Sequence, residues 1–146
     1  GHIGWFQERW IGRNLQRHQG PRADPNPTPL ASVQPQADFW WDSGRMPHDR
    51  RWALSLPPLG DIKAYLLTTL ESTLELLAKT PDEDDALYFY RLALFHEDMH
   101  GEAFIYMAQT LGLRLKLPLP APGLVREPLW VPATRWRLGL DAGAGY

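Results

Sequence analysis

The run His96-Glu97-Asp98-Met99-His100 carries two imidazoles four residues apart, a spacing that places both on one face of a helix. Two imidazole nitrogens on one helical face are able to hold a single divalent metal ion. The same five residues also spell H-E-x-x-H, the zinc-protease signature in which the glutamate is the general base. The sequence therefore predicts a metal site, and other residues must decide which chemistry it serves.

The zinc-protease interpretation finds little support outside these five residues. One protease class needs glycine and histidine at fixed offsets after the second histidine, where this chain has Ala103 and Tyr106. Another class needs a glutamate on a following helix, and the candidate here, Glu127, stands beside Pro128. No histidine follows His100, so a third imidazole ligand must come from upstream.

Three upstream histidines are candidates for that third ligand. His18 lies at the start of a proline-rich stretch, where a local or solvated role is expected, and His48 lies in a charged segment that could line a pocket. His2 is the best candidate because it shares a helical stripe with Trp5 and Phe6 and is able to face the histidine pair across a bundle. Its alternative role is a buried histidine among aromatic residues.

The ligand types also bear on the metal. Three neutral imidazoles on Fe(II) would leave up to three positions for O2 and substrate, whereas zinc more often closes at four ligands. They would also leave the full ionic charge to attract a thiolate or selenolate. Because the chain has no cysteine, any metal must be bound through nitrogen and oxygen. The sequence alone leaves the metal open.

Helices are predicted where these ligands require them. Apolar residues recur at helical spacing through residues 1–15 and again through residues 61–79. Thr80-Pro81-Asp82-Glu83 resembles a capping box that would open a second long helix, ending at Gly112. The histidines would lie on an apolar stripe of that helix and point into a bundle. The stripe comprises Phe89, Ala93, His96, His100, Phe104, Met107 and Leu111.

Prolines mark the segments between and after these helices. Residues 16–38 contain five prolines and are expected to form a long surface loop, of the kind that often serves as a lid or binding loop. Residues 116–128 are predicted to be a stiff linker, and the alternating segment 130–140 a strand that opens a new domain. Because both ends look cut, we expect a segment of a longer protein.

Composition limits the classes of partner. The 146 residues carry 15 Lys and Arg against 17 Asp and Glu, a formal net charge of -2. This balance gives no electrostatic reason to expect nucleic acid or an acidic membrane, and small molecules are favoured. No signal peptide and no run of about 18 apolar residues is present, which indicates a cytoplasmic protein.

Two segments resemble the EgtB-type non-heme iron enzymes: Gly1-His2-Ile3-Gly4-Trp5-Phe6-Gln7-Glu8-Arg9-Trp10 and Phe95-His96-Glu97-Asp98-Met99-His100-Gly101-Glu102-Ala103-Phe104. In that family a DinB-like four-helix bundle supplies three histidines to one Fe(2+), one from a G-H-x-x-W-F segment and two from an H-E-x-x-H segment. The resemblance therefore implies that His2, His96 and His100 are the iron ligands.

The resemblance also implies the domain organisation. The fold class is mainly α, with a DinB-like four-helix bundle at residues 1–115 that lacks its N-terminal part. A proline-rich linker at 116–128 would lead to residues 129–146, the start of a formylglycine-generating-enzyme-like (C-type-lectin-like) α+β domain. Residues 131–139 look like the opening strand of that domain.

Members of this family use O2 to join sulfur or selenium to the imidazole of hercynine, a trimethylated histidine. The sulfur version leads to ergothioneine, and the selenium version, catalysed by SenA-type enzymes, leads to selenoneine. Sulfur-using enzymes of the mycobacterial kind typically carry glutamines inside the histidine motif, where this chain has Asp98 and Met99. Because residues 42–52 also resemble the SenA branch more, a selenosugar donor is favoured.

Candidate substrate-binding residues lie in that same segment. Arg45, Arg50 and Arg51 could neutralise or hydrogen-bond the donor. Asp42 could accept hydrogen bonds from sugar hydroxyls, and His48 could line the pocket. Four tryptophans could form an aromatic wall for a trimethylammonium group: Trp40, Trp41, Trp52 and Trp130. The family's assisting tyrosine and most hercynine contacts would lie in the second domain.

Three other functions stay open from the sequence. An ergothioneine sulfoxide synthase would take a cysteine-type thiol as the donor. A zinc hydrolase would carry zinc at full occupancy, with a carboxylate as its third ligand. A DinB-like binding module without catalytic activity would bury the histidines as packed core residues.

Overall fold

The computed structural model describes residues 1–116, 123, 127–128 and 130–139. This part of the chain is mainly helical, as predicted, and it contains no strand. Its α-helices are α1 (His2–Gln7), α2 (Ala37–Trp41), α3 (Leu59–Leu77) and α4 (Asp84–Thr110). A π-helix (Glu8–Gly12) continues α1, and two 3-10 helices cover Arg17–Arg22 and His48–Ala53.

The first helix, predicted over residues 1–15, is a continuous helical rod over residues 2–12 that changes from α to π geometry at Glu8. The backbone N–H of Arg13 donates to the carbonyl of Glu8 at 2.8 Å, five residues back. Such wide turns are rare and are frequently found at functional sites. Glu8 and Ile11 of this turn are both buried, so the π-helix faces the interior.

Gly4 allows α1 to lie close against α3. A Cβ atom at this position would come within 2.6 Å of Leu66 Cδ2 and 3.3 Å of Tyr65 Cε1. Any larger residue would therefore push the two helices apart or displace the Leu66 side chain. The glycine two residues after His2 thus has a packing role that sets how closely the helix bearing this histidine approaches α3.

The prediction of a helix at 61–79 is confirmed by α3, which lies at Leu59–Leu77. The capping box at Thr80 is wrong, because α4 begins at Asp84 and its N-terminus has no side-chain cap. The Thr80 hydroxyl instead donates to the carbonyl of Leu76 at 2.8 Å. The last carbonyls of a helix need donors, and this threonine supplies one to α3 rather than opening α4.

The predicted apolar stripe of α4 is buried only in its first half. Phe89 is buried and the two histidines are half-buried, whereas Phe104, Met107 and Leu111 are exposed. The reason is that α1, the π-helix and the 3-10 helix at 17–22 supply the packing partners of α4. The histidines lie at the boundary between the covered and the exposed half.

The stretch at 16–38 is largely irregular, as predicted, but it contains the Arg17–Arg22 turn and the start of α2. Gly20 lets this turn touch α4, because it has a φ of +55° and a Cβ there would lie 2.7 Å from the Asp85 carbonyl oxygen. At the other end, α2 enters the core formed by Trp5, Ala37, Trp41 and Tyr65. The loop therefore ends inside the protein, next to the histidines of the predicted metal site.

The predicted second domain falls mostly outside the described residues. The linker is described only at residues 116, 123 and 127–128, and the described part of the expected strand, 130–139, has no strand conformation. A strand needs a neighbour to pair with, and the described residues offer none. The domain boundaries and the DinB-like architecture stay predictions. In the described ranges, no helix combines the length and apolarity needed to cross a membrane.

Candidate metal centre

The structure brings His2, His96 and His100 together. One ring nitrogen from each lies within 4.8 Å of the other two, and the Nε2 atoms of His96 and His100 are 3.2 Å apart. Among the described residues, no other group of three side chains able to ligate a metal lies so close together. All three histidines are half-buried.

Two aromatic stacks fix how the helices that carry the ligands cross. The ring of Phe6 lies parallel to that of His96, with centroids 3.7 Å apart and planes at 8°. One turn further along, Trp10 stacks on Phe89 at 5.4 Å and 6°. Because α1 contributes both Phe6 and His2, the stack that holds His96 also sets the distance across the metal site.

A backbone carbonyl fixes the tautomer of His2. His2 Nδ1 lies 2.8 Å from the carbonyl oxygen of Trp41, and a carbonyl only accepts hydrogen bonds. Nδ1 therefore carries the proton, and the lone pair of Nε2 is left free for a metal. A ring nitrogen held by a carbonyl in this way is the usual arrangement around metal-binding histidines.

Burial disfavours the protonated form of His96 and of His2. Burial lowers the pKa of His96 to about 4, with further lowering by the nearby charges of His100 and His2. Burial also lowers the pKa of His2, although its hydrogen bond to the Trp41 carbonyl acts in the opposite direction. Because a metal binds the unprotonated ring, these two ligands need lose no proton near pH 7.

The donor set fits a divalent ion such as Fe(II). Two nitrogens that are each about 2.0–2.1 Å from one ion lie about 3.0–3.4 Å apart at ordinary bond angles, and the His96–His100 separation of 3.2 Å falls in this range. His96 Nδ1 is buried without a hydrogen-bond partner, so on this side the ring is held by packing, including the stack on Phe6. Three imidazole nitrogens are a donor set that suits a divalent transition metal.

A cavity of about 440 Å³ opens on the three histidines, which is a common size for a small-molecule site. Beside the histidines, the walls contain two tryptophans, two methionines and a short polar edge. These residues are Trp40, Trp41, Asp42, Ser43, Met46, Arg51 and Met99.

Two of the predicted substrate-binding residues line this cavity, namely Asp42 and Arg51. Asp42 is buried, and its Oδ1 accepts the backbone N–H of Gly44 at 3.0 Å. Arg51 donates to the carbonyl of Ser43 at 2.9 Å, so its guanidinium is tied to the segment that follows α2. The cavity thus places one cation and one anion beside the metal ligands.

The other predicted substrate residues lie elsewhere. Arg45 and Arg50 line a neighbouring groove with Phe39, and His48 is exposed and lines neither space. Arg45 also contacts the Asp42 carboxylate, with a nitrogen–oxygen distance of 3.4 Å. These three residues do not line the cavity at the histidines, so their roles in substrate binding stay predictions.

Two of the four tryptophans predicted to form an aromatic wall line the cavity, and two do not. Trp40 and Trp41 line the cavity, whereas Trp52 and Trp130 do not and are 87% and 82% exposed. Neither exposed tryptophan borders the space beside the three histidines, so neither forms a wall for a substrate held there. Only the tryptophans of α2 are therefore placed to contact a substrate in this cavity.

Sequence reasoning missed three lining residues and the carbonyl that orients His2. Met99 could have been found from spacing, because it stands three residues after His96 and hence on the same side of α4. No sequence pattern singled out Ser43 and Met46 as lining residues, since their positions depend on how the irregular segment after α2 folds back. The Trp41 carbonyl could not have been read from residue types at all.

Glu97 lies on a different side of α4 from the cavity. It lines an apolar groove together with Leu70 of α3 and Leu94 of α4. A general base must come within hydrogen-bond reach of a metal-bound water, and Glu97 does not border the space where such a water would lie. Within the described ranges, the zinc-hydrolase interpretation therefore lacks both its base and its carboxylate ligand.

The chain is 32% identical over 150 aligned residues to the hercynine oxygenase of Mycolicibacterium smegmatis. It is similar to one part of that enzyme. The match covers 97% of this chain and 32% of the relative, so the chain spans about a third of the length of the protein it resembles. No protein-family model matches the chain. The similarity supports the EgtB-type resemblance and does not test the selenoneine branch.

Proposed function

We propose that this chain is the metal-binding part of a non-heme Fe(II)- and O2-dependent oxidoreductase that joins selenium or sulfur to the imidazole of hercynine, with a selenosugar as the favoured donor. The observation that carries the proposal is the meeting of three imidazoles, without a carboxylate, beside an open cavity. Similarity to a hercynine oxygenase over 97% of the chain supports the choice of hercynine as the acceptor.

His2, His96 and His100 would hold the iron, which when bound supplies the site for the activation of O2 and for the sulfur or selenium of the donor. The role of the chain is to position these reactants. Phe6 fixes the His96 ring by stacking, and the Trp41 carbonyl fixes the His2 ring by accepting its Nδ1 proton. Rings held in this way need no rearrangement when the metal and substrates bind.

The polar edge of the cavity favours a donor rich in hydroxyl groups. Asp42 accepts hydrogen bonds, Ser43 both donates and accepts them, and Arg51 donates, which suits the mixed donors and acceptors of a sugar. A donor of the cysteine type carries several charges, whereas the cavity offers one guanidinium, that of Arg51, which already donates to the Ser43 carbonyl. Met46 and Met99 add soft thioether surface for a selenium or sulfur atom.

The aromatic side of the cavity suits the trimethylammonium group of hercynine. Trp41 is held rigid because its ring stacks on Tyr65, with centroids 4.7 Å apart. A quaternary ammonium is attracted to the face of such a ring, by about 0.5–2 kcal/mol depending on how far it is desolvated. Trp40 and Trp41 would therefore orient the acceptor so that its imidazole approaches the donor.

The test is to supply the full-length protein, loaded with Fe(II), with O2, hercynine and an equimolar mixture of a selenosugar and γ-glutamylcysteine. The products are identified by mass spectrometry. We expect a selenium adduct of hercynine in wild type and none in His100→Ala, while His18→Ala, which removes an exposed histidine outside the cavity, keeps activity. A sulfoxide adduct would replace the donor assignment, and bound iron without any adduct would overturn the substrate assignment.

A further inference from the structure

An ion pair away from the histidine nitrogens anchors α2. Asp38, in the first turn of this helix, accepts hydrogen bonds from both terminal nitrogens of the Arg13 guanidinium, each at 2.7 Å. The indole N–H of Trp5 donates to the same carboxylate, also at 2.7 Å. Three charge-assisted or directional bonds of this length make one of the strongest side-chain contacts that a protein can form.

Arg13 is itself immobilised by its surroundings. Its side chain is 5% exposed, and its Nε donates to the carbonyl of Leu30 at 2.6 Å. The backbone N–H of Leu30 in turn donates to the carbonyl of Arg13 at 3.0 Å. The guanidinium therefore ties the end of the π-helix both to the proline-rich loop and to α2, and it lowers the pKa of Asp38 to about 2.

The position of α2 depends on such anchors. This helix has five residues, and its N-cap residue, Gln36, makes no side-chain capping bond. Helices this short are unstable by themselves, so external contacts must decide where their ends lie. The last residue of α2 is Trp41, whose carbonyl accepts the Nδ1 proton of His2.

We propose that Asp38 and Arg13 are positioning residues for the metal ligand His2, because they hold α2 so that its terminal carbonyl selects the tautomer and angle of the His2 ring. The effect reaches His2 from a second side through Trp5, whose ring stacks on that of His2 with centroids 5.7 Å apart. The inference rests on the proposed metal site for its functional consequence. The effect on the His2 ring itself is independent of any metal.

The test uses Asp38→Asn, which keeps the shape of the side chain and replaces one carboxylate oxygen with an amide that cannot accept from Arg13. The His2 tautomer is read from ring 15N shifts in the metal-free, full-length protein, with the His2 signal assigned by its loss in His2→Gln. The affinity for Co(II), a coloured substitute for Fe(II), is measured by titration. We expect wild type to show the Nδ1–H tautomer alone and Asp38→Asn to show a mixture, with Co(II) bound about 10-fold more weakly.

Tyr65→Phe is the matched control. It deletes a buried hydrogen bond of the same 2.7 Å length, from the tyrosine hydroxyl to Glu8, and keeps the ring that packs on Trp41. The control should lose stability but keep the His2 tautomer and bind Co(II) within twofold of wild type. If Asp38→Asn does not fold, the same comparison is made with Arg13→Lys. This variant keeps the charge and loses the paired hydrogen bonds.

A folded Asp38→Asn protein with an unchanged His2 tautomer, and with Co(II) affinity equal to that of Tyr65→Phe, would overturn the inference. Failure of the proposed function gives a different result. Wild type then binds neither Co(II) nor Fe(II), or binds iron and forms no adduct of hercynine, while the tautomer comparison in the metal-free protein still decides whether Asp38 positions the His2 ring.

Discussion

At the scale of single residues, the candidate site depends on an unprotonated His96. Burial and two neighbouring imidazoles lower its pKa to about 4, against 6.5 for a free side chain. Burial costs more free energy for a charged imidazole than for a neutral one, so the contacts that leave His96 free to bind a metal also penalise its protonation. The same burial should therefore make the metal-free fold sensitive to acid.

The first prediction concerns this acid sensitivity in the metal-free protein. Below about pH 6.5 the unfolded chain protonates His96, whereas the folded chain does so only near pH 4, so the free energy of unfolding should fall as the pH drops through this window. Denaturant unfolding at pH 7, 5.5 and 4.5 measures the slope. His96→Gln should reduce the slope, and the part that remains should include the contribution of His2, whose pKa burial also lowers. Equal slopes in wild type and His96→Gln would contradict the burial argument.

The second prediction separates two adjacent arginines. Arg51 lines the metal cavity and Arg50 lines the neighbouring groove. Loss of a hydrogen bond to a charged group costs about 1.5–3 kcal/mol, so Arg51→Ala should lower kcat/KM for the donor at least about 10-fold without changing the metal affinity. Steady-state kinetics with Arg50→Ala as the control checks this. A larger loss in Arg50→Ala would place the donor in the other groove.

At the scale of elements, close backbone contacts hold the helices that carry the ligands. Gly20 has a positive φ and touches the backbone of Asp85 at the start of α4, while Gly101 lies within α4 with open space around it. The two glycines therefore have opposite effects on the stability of the fold. The first is required by geometry, and the second weakens the helix just after His100.

The third prediction follows from this contrast. Gly20→Ala should destabilise the protein by at least about 1–3 kcal/mol, because the new methyl group meets backbone atoms and the φ angle is strained. Gly101→Ala should stabilise it by about 0.5–1 kcal/mol, since alanine loses less entropy in a helix interior. Thermal and denaturant unfolding of both variants measure the changes. A destabilised Gly101→Ala protein would contradict the open environment assigned to this glycine.

At the scale of the whole molecule, the sequence predicted the long helices and the histidine set, and the structure brings that set together. Periodicity was sufficient for α3, since leucines every three or four residues define its apolar face. It failed for the start of α4, because the Thr80 hydroxyl has two helix ends within reach and bonds the earlier one. It also overestimated the burial of the stripe beyond His100, because periodicity shows which residues share a face and does not show what covers them.

Sequence analysis could not identify the residues that orient the site. Asp38 and Arg13 lie 25 positions apart, and only the course of the proline-rich loop brings them together. The Trp41 carbonyl is backbone, so no residue type marks it. The cavity walls at Ser43 and Met46 likewise depend on the turn after α2. The residue types predicted the kind of site, whereas the groups that orient it could be identified only from the fold.

The most direct test of the central claim is the iron content of the full-length protein after anaerobic loading with Fe(II), followed by electron paramagnetic resonance of its nitric oxide adduct. We expect one iron per chain and a high-spin iron–nitrosyl signal in wild type and in His48→Ala. His2→Ala should lose most of both. Full iron occupancy with an unchanged signal in His2→Ala would show that the three histidines brought together here are not the ligand set.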